Sequence, residues 1–232
     1  MARTVIALAA VTAVATFAAA SPAQASCSGY FRCYGQVDFV PSGSYTGGLA
    51  YITATRLSSG SSHFATAELW VCGPNIWGDC NTWVESGLTV GIRQNSSATA
   101  LTGFWAEQPG GGCAGGMYAE HYPASLSSAS IGTSYATKIS FNGGFRFAVY
   151  RNGSFIDNSV ACFDVPVARM FAGTETDDTS SKATGSATNL QKRNADNTTW
   201  SYNWGGSTLF HQGIGWVQWT TQYLSANYGT NN

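Results

Sequence analysis

Phe141-Asn142-Gly143-Gly144-Phe145-Arg146-Phe147-Ala148-Val149-Tyr150-Arg151-Asn152-Gly153-Ser154 is the stretch that decides the fold of this chain. Asn and Gly accept the positive φ that primed hairpin turns require. Two such turns bracket one short β-rich run, so Phe145–Arg151 is expected to be the strand shared by two successive hairpins. Outward from it, short β-rich segments recur between Gly, Ser and Asn punctuation, the pattern of a sandwich or barrel. Strands are expected near Gly48–Leu57, His63–Val71, Thr82–Gly91, Leu101–Glu107, Gly115–Tyr122, Ser134–Asn142, Ser154–Val160, Ala168–Thr176, Thr199–Trp204 and Gly215–Leu224. No long 3.6-residue apolar period occurs, so very little helix is expected. The predicted class is all-β: an antiparallel two-sheet sandwich, jelly-roll or concanavalin-like, stabilised by disulfides.

Two regions stand apart. Thr176–Asn197 is rich in small polar residues with Leu190 as its one large apolar residue, and reads as a long loop or a loosely packed strand pair. Beyond it come Trp200, Tyr202, Trp204, Trp216, Trp219, Tyr223 and Tyr228. Most of these are expected to pack between sheets, with the remainder free to form an aromatic substrate platform.

The N-terminus predicts the compartment. Arg3 gives a positive start, Val5–Ala20 is apolar, and Ala23-Gln24-Ala25 is an A-x-A cleavage signature. The apolar run is short of the roughly 20 residues a spanning helix needs. Residues 1–25 read as a cleaved signal peptide, and 26–232 as one β-sandwich domain that is secreted and extracellular, with no membrane contact after cleavage. All six cysteines follow the cleavage point, and an even number in an exported chain reads as a disulfide framework. Two short local loops and one long closure give Cys27–Cys33, Cys72–Cys80 and Cys113–Cys162 as the expected pairs. No C-x-x-C occurs and no histidine stands near a cysteine at ligand spacing, so no metal and no cofactor is expected.

Charged residues make up 10% of the chain and the net charge is −1, against roughly 25% charged in an average domain. There is no basic field to attract nucleic acid. No nucleic-acid partner is expected, and the chain is expected to be a monomer.

The chain has no G-x-S-x-G elbow, H-E-x-x-H or P-loop. His63, His121 and His211 are isolated and read as surface or hydrogen-bonded structural residues. Glu120-His121 could be half of a serine triad, but no serine stands out to complete it. Only five glutamates are present, Glu68, Glu85, Glu107, Glu120 and Glu175, each in or at the end of an expected strand. Strand alternation puts Val84, Leu88 and Val90 on one face and Glu85, Gly87 and Thr89 on the other. The second face, a carboxylate beside a glycine and a small hydroxyl residue, suits the floor of a shallow groove. Ala172-Gly173 likewise becomes small just before Glu175. Two glutamates on one face can share a proton, because like charges in contact raise one pKa strongly. Such a pair activates water and polarises a carbonyl without Ser, Cys or metal.

Asn81-Thr82-Trp83-Val84-Glu85-Ser86-Gly87-Leu88-Thr89-Val90 resembles the E-A-G-W segment of the neprosin-type glutamic peptidases. Phe104-Trp105 followed by Gly110–Tyr118 with Cys113 resembles their aromatic and then Cys/Gly-rich stretch. Met170-Phe171-Ala172-Gly173-Thr174-Glu175 resembles their F-G-G-E segment, and Gly185-Ser186 with Asn189-Leu190-Gln191 their G-S-G and N-L-Q tail. The resemblance implies Glu85 and Glu175 as the catalytic pair, with Gly87, Thr89, Trp105 and Gly173 at the substrate. It also implies a protein or peptide substrate, hydrolysis at acidic pH and cleavage after proline. Leu88 stands where the family has Trp, and Thr174 separates Gly173 from Glu175. The competing expectation is a secreted carbohydrate-active sandwich: a glycosidase pairing Glu85 with Glu107 or Glu120, or a lectin-like binder.

Overall fold

The structure, a computed structural model, describes residues 32–60, 62–73, 80, 82–91, 100–109, 117–160, 166–221 and 224–230. The expected signal peptide, Cys27, Cys113, Cys162 and Tyr223 lie outside them.

Fifteen strands are described: β1 (Cys33–Phe39), β2 (Tyr45–Ser58), β3 (Phe64–Cys72), β4 (Trp83–Gly91), β5 (Thr102–Gln108), β6 (Ala119–His121), β7 (Ser134–Gly143), β8 (Arg146–Arg151), β9 (Ser154–Asn158), β10 (Arg169–Thr176), β11 (Lys182–Asn194), β12 (Trp200–Tyr202), β13 (Thr208–Gln212), β14 (Gly215–Thr221) and β15 (Ser225–Thr230). One short 3-10 turn, Ala124–Leu126, is the helical element among the described residues. The strands form two antiparallel sheets, ordered β13-β1-β10-β3-β4-β5-β6 and β14-β15-β11-β2-β7-β8-β9, with β12 paired to β11. The two Asn-Gly turns form as expected: Gly143 and Gly144 take positive φ between β7 and β8, and Asn152 and Gly153 between β8 and β9.

The core lies between the sheets. Val37, Leu69, Val71, Val84, Leu88, Met170 and Ala172 from the first sheet meet Ile52, Ile139, Phe147, Val149, Leu190 and Tyr228 from the second. Each fully buried large aliphatic contributes about 1.5–3 kcal/mol. Because side chains alternate along a strand, this core face fixes what the opposite face of the first sheet carries, and there the glutamates gather.

The segment 176–197, expected as a long loop or a loosely packed strand pair, is corrected. Its larger part is β11, a thirteen-residue strand in the middle of the second sheet, paired with β2 along most of its length. Its inward residues include Ala183, Gly185 and Ala187, all buried, and such small residues hide the alternation from a hydrophobicity reading. A Cβ on Gly185 would meet the Thr53 carbonyl oxygen of β2 at 2.2 Å and the fully buried Tyr228 ring at 3.0 Å. Strands β1, β13 and β15 were also not expected from sequence. Cys72 and Cys80 form the expected disulfide, with Cα atoms 5.3 Å apart. Cys33 is disulfide-bonded as well.

Candidate active site

Neighbouring strands β10, β3 and β4 bring three glutamates to the outer face of the first sheet. In register, Glu85 stands opposite Trp70, Glu68 opposite both Gly87 and Gly173, and Glu175 opposite Thr66. The three therefore lie on a diagonal with Glu68 in the middle. The glycines flank Glu68, and each is the next same-face residue to an outer glutamate, leaving the space over which the carboxyls converge. One carboxyl oxygen from each lies within 4.8 Å of the other two, and all three residues are buried.

Glu85 and Glu175 both line an open cleft of about 350 Å3 with Arg32, Tyr34, Trp70, Cys80, Trp83, Gln108 and Tyr118. Burying carboxyls is costly unless they are paired or hydrogen-bonded, and the cleft supplies partners. Arg32 Nε lies 2.7 Å from Glu175 Oε1, and the Arg32 guanidinium sits over the Phe64 ring. The Thr66 hydroxyl donates to Glu68 Oε1 at 2.7 Å and accepts the Glu175 backbone N–H at 3.2 Å. Tyr118 Oη is 3.0 Å from Glu85 Oε1. Burial, and after it the negative charge of Glu175, pushes the Tyr34 phenol above its ordinary range, so Tyr34 stays a neutral hydrogen-bond donor.

The expected substrate residues separate. Gly87, Thr89 and Gly173 share the sheet face of Glu85 and Glu175, but they are buried and do not line the cleft. A Cβ on Gly87 would meet Ala67 O at 2.1 Å and Glu68 Cα at 2.7 Å, and one on Gly173 would meet Gly35 O at 2.1 Å and Gln36 Cγ at 2.9 Å. These glycines therefore serve close approach between strands, not of a substrate backbone. Trp105 is also corrected: it points the other way, into the core, 1% exposed and stacked on His121 with ring centroids 3.7 Å apart. Period-2 parity explains this, since Ala106 is the residue in register with Glu85.

Glu107 shares Trp105's face, accepting the Val160 N–H at 2.6 Å and lying 3.3 Å from His121 Nε2. That removes the Glu85–Glu107 pairing. His63 stands 3.4 Å from Asp177 at the end of the sheet. Among the described residues, the C-terminal aromatics do not line the cleft; Trp204 is buried against Phe39, and Tyr202 is exposed.

Sequence reasoning missed Glu68, Arg32, Tyr34, Trp70 and Tyr118. Glu68 had a readable signal, as a rare glutamate alternating with Ala67 and Leu69. The others become neighbours through strand order alone. Gln36, in register with Gly173, is buried on the same face.

No family model and no curated protein matches the sequence. Among solved structures, scytalido-glutamic peptidase with a transition state analog inhibitor matches with a TM-score of 0.55 at 9% identity, over 84% of this chain and 97% of that one. In fold, this chain is similar to scytalido-glutamic peptidase. A second structure of that peptidase, with a peptide-based transition state analog, matches with a TM-score of 0.52 at 8% identity, over the same shares of both chains. At such identities the likeness to scytalido-glutamic peptidase is one of fold.

Proposed function

We propose that this protein is a secreted glutamic endopeptidase that hydrolyses peptide bonds at acidic pH, with Glu85 and Glu175 as its catalytic pair. The observation that carries this reading is the convergence of the two carboxyls, within 4.8 Å, at one open cleft. Carboxyl oxygens this close can be bridged by one water, the arrangement that acid–base work on a carbonyl requires. The order of the glutamate segments, which resembles the neprosin-type peptidases, and a sandwich similar to scytalido-glutamic peptidase support the same reading. Export rests on the N-terminal signal pattern.

The chemistry assigns a role to each group. Glu175, with the Arg32 guanidinium 2.7 Å away, is held in its carboxylate form, since an opposite charge favours ionisation. It acts as general base, taking a proton from water as the water oxygen attacks the scissile carbonyl carbon. Glu85 carries a proton, hydrogen-bonds the carbonyl oxygen, and passes the proton to the leaving nitrogen as the C–N bond breaks. A base held ionised by Arg32 remains competent in acid, which supports an acidic working range. Trp70 and Trp83 stack nearly parallel at the cleft, with centroids 5.9 Å apart and planes 10° apart. Their apolar faces suit a flat ring such as proline, which supports cleavage after that residue.

The test is digestion of a denatured protein at about pH 4, near the ordinary glutamate pKa, by wild type and by Glu85→Gln and Glu175→Gln. Activity in the wild type and its loss in both variants is the expected result. Full activity in either variant overturns the pair as assigned.

A further inference from the structure

We infer that Tyr118 and Glu120 form a proton relay that restores the proton of Glu85 after each turnover; the relay rests on the peptidase reading above. Glu85, Ala106 and Glu120 stand in one cross-strand row over β4, β5 and β6. The small Ala106 side chain leaves a gap between the two glutamates, and the Tyr118 hydroxyl bridges them. It lies 3.0 Å from Glu85 Oε1 and 2.9 Å from Glu120 Oε1, while the Tyr122 hydroxyl lies 2.9 Å from Glu120 Oε2.

The hydrogen count makes this more than packing. Each phenol holds one hydrogen and an ionised carboxyl holds none. Three oxygen–oxygen contacts at hydrogen-bonding distance need three hydrogens, and the two tyrosines supply two. The third comes from Glu85 or Glu120, so protonation of one is tied to protonation of the other through a single hydroxyl.

The transfer balances without a phenolate. Glu120 gives its proton to Tyr118 Oη as Tyr118 gives its own to Glu85 Oε1, and rotation of the phenolic O–H resets the bridge. Glu85 is 1% exposed, whereas Glu120 is half-buried and reaches solvent. Glu120 is thus the end that recharges from acidic water. The groups facing Glu85 are Glu68 from β3, Glu175 from β10 with Arg32, and Tyr34 from β1. Tyr118 and Tyr122 are among the described residues that face Glu120, and His121 pairs with Glu107 on the opposite face of the sheet.

The experiment uses full-length mature protein with carbon-13-labelled glutamate side chains, as wild type, Tyr118→Phe and Glu120→Gln. Tyr118→Phe keeps the ring that packs on Trp83, and Glu120→Gln changes a half-buried site. In the free protein, the Glu85 carboxyl signal is expected to respond to a step shared with Glu120 in wild type and to lose that shared step in both variants, while its coupling to Glu68 and Glu175 persists in all three. Identical curves in all three proteins overturn the relay, and this readout stands even if no substrate is cleaved. In steady-state assays kcat is expected to fall by about tenfold or more in both variants, with KM unchanged in Glu120→Gln, whose side chain does not line the cleft, while a single-turnover burst persists. An unchanged kcat in both variants also overturns it. A wild type without peptidase activity refutes the proposed function instead, and leaves the coupling to the titration.

Discussion

Glu85 and Glu175 reach toward one another diagonally across β3, with Glu68 between them and a glycine on either side of Glu68. Gly87 and Gly173 stand on either side of Glu68 in register, and the carboxyls of Glu68, Glu85 and Glu175 meet there within 4.8 Å. Three buried acids and one guanidinium make a site whose charge state sets its chemistry.

Replacing Gly173 with Ala tests the convergence. The added methyl meets Gly35 O at 2.1 Å and Gln36 Cγ at 2.9 Å, so β1 and β10 must separate. Overpacking of this kind costs about 1–3 kcal/mol. A lower urea midpoint with an unchanged m-value is the expected outcome, together with a loss of activity larger than the loss of folded protein.

Arg32→Gln removes the counter-charge of Glu175. The carboxylate is then protonated at higher pH, so the acidic limb of kcat/KM moves up in pH. Arg32 is 39% exposed, so solvent screening keeps the displacement modest. A pH–rate profile of variant against wild type measures it.

Cys72 and Cys80 close a short loop, with a sequence separation of 8, at the wall of the cleft. Loop closure on this scale contributes about 2–3 kcal/mol. The double variant Cys72→Ser/Cys80→Ser is expected to lose that much in chemical denaturation. It is also expected to show a raised KM, because Cys80 lines the cleft.

Asp196 reports on acid tolerance. The Thr199 hydroxyl and the backbone N–H groups of Thr198 and Thr199 hold its carboxyl at about 2, below the ordinary value of about 3.9. Its contribution is present above that ordinary value and is lost as pH falls through about 2. Asp196→Ala is therefore expected to lower Tm near neutral pH, with the difference from wild type vanishing below about pH 2, as thermal melts across pH would record.

The sequence by itself determined the β class, the two Asn-Gly hairpins around β8 and the Cys72–Cys80 disulfide. Each is written in local chemistry: positive-φ turn residues, period-2 alternation and close cysteine spacing. It also singled out Glu85 and Glu175, because acids are scarce in this chain and small residues stand beside both. Strand order was not legible, since it is a global outcome of which apolar faces bury one another. For that reason β11 read as a long loop or a loosely packed strand pair: its inward residues Ala183, Gly185 and Ala187 are small, and what bars a side chain at Gly185, the Thr53 carbonyl and the Tyr228 ring, comes from neighbouring strands. Only the tertiary structure placed β3 between β4 and β10, which put Glu68 between the two expected glutamates. The same strand order gave Glu175 a cation in Arg32, turned Trp105 into the core and joined Glu85 to Glu120 through one tyrosine. Alternation tells which residues share a face, but register and strand order decide which of them touch.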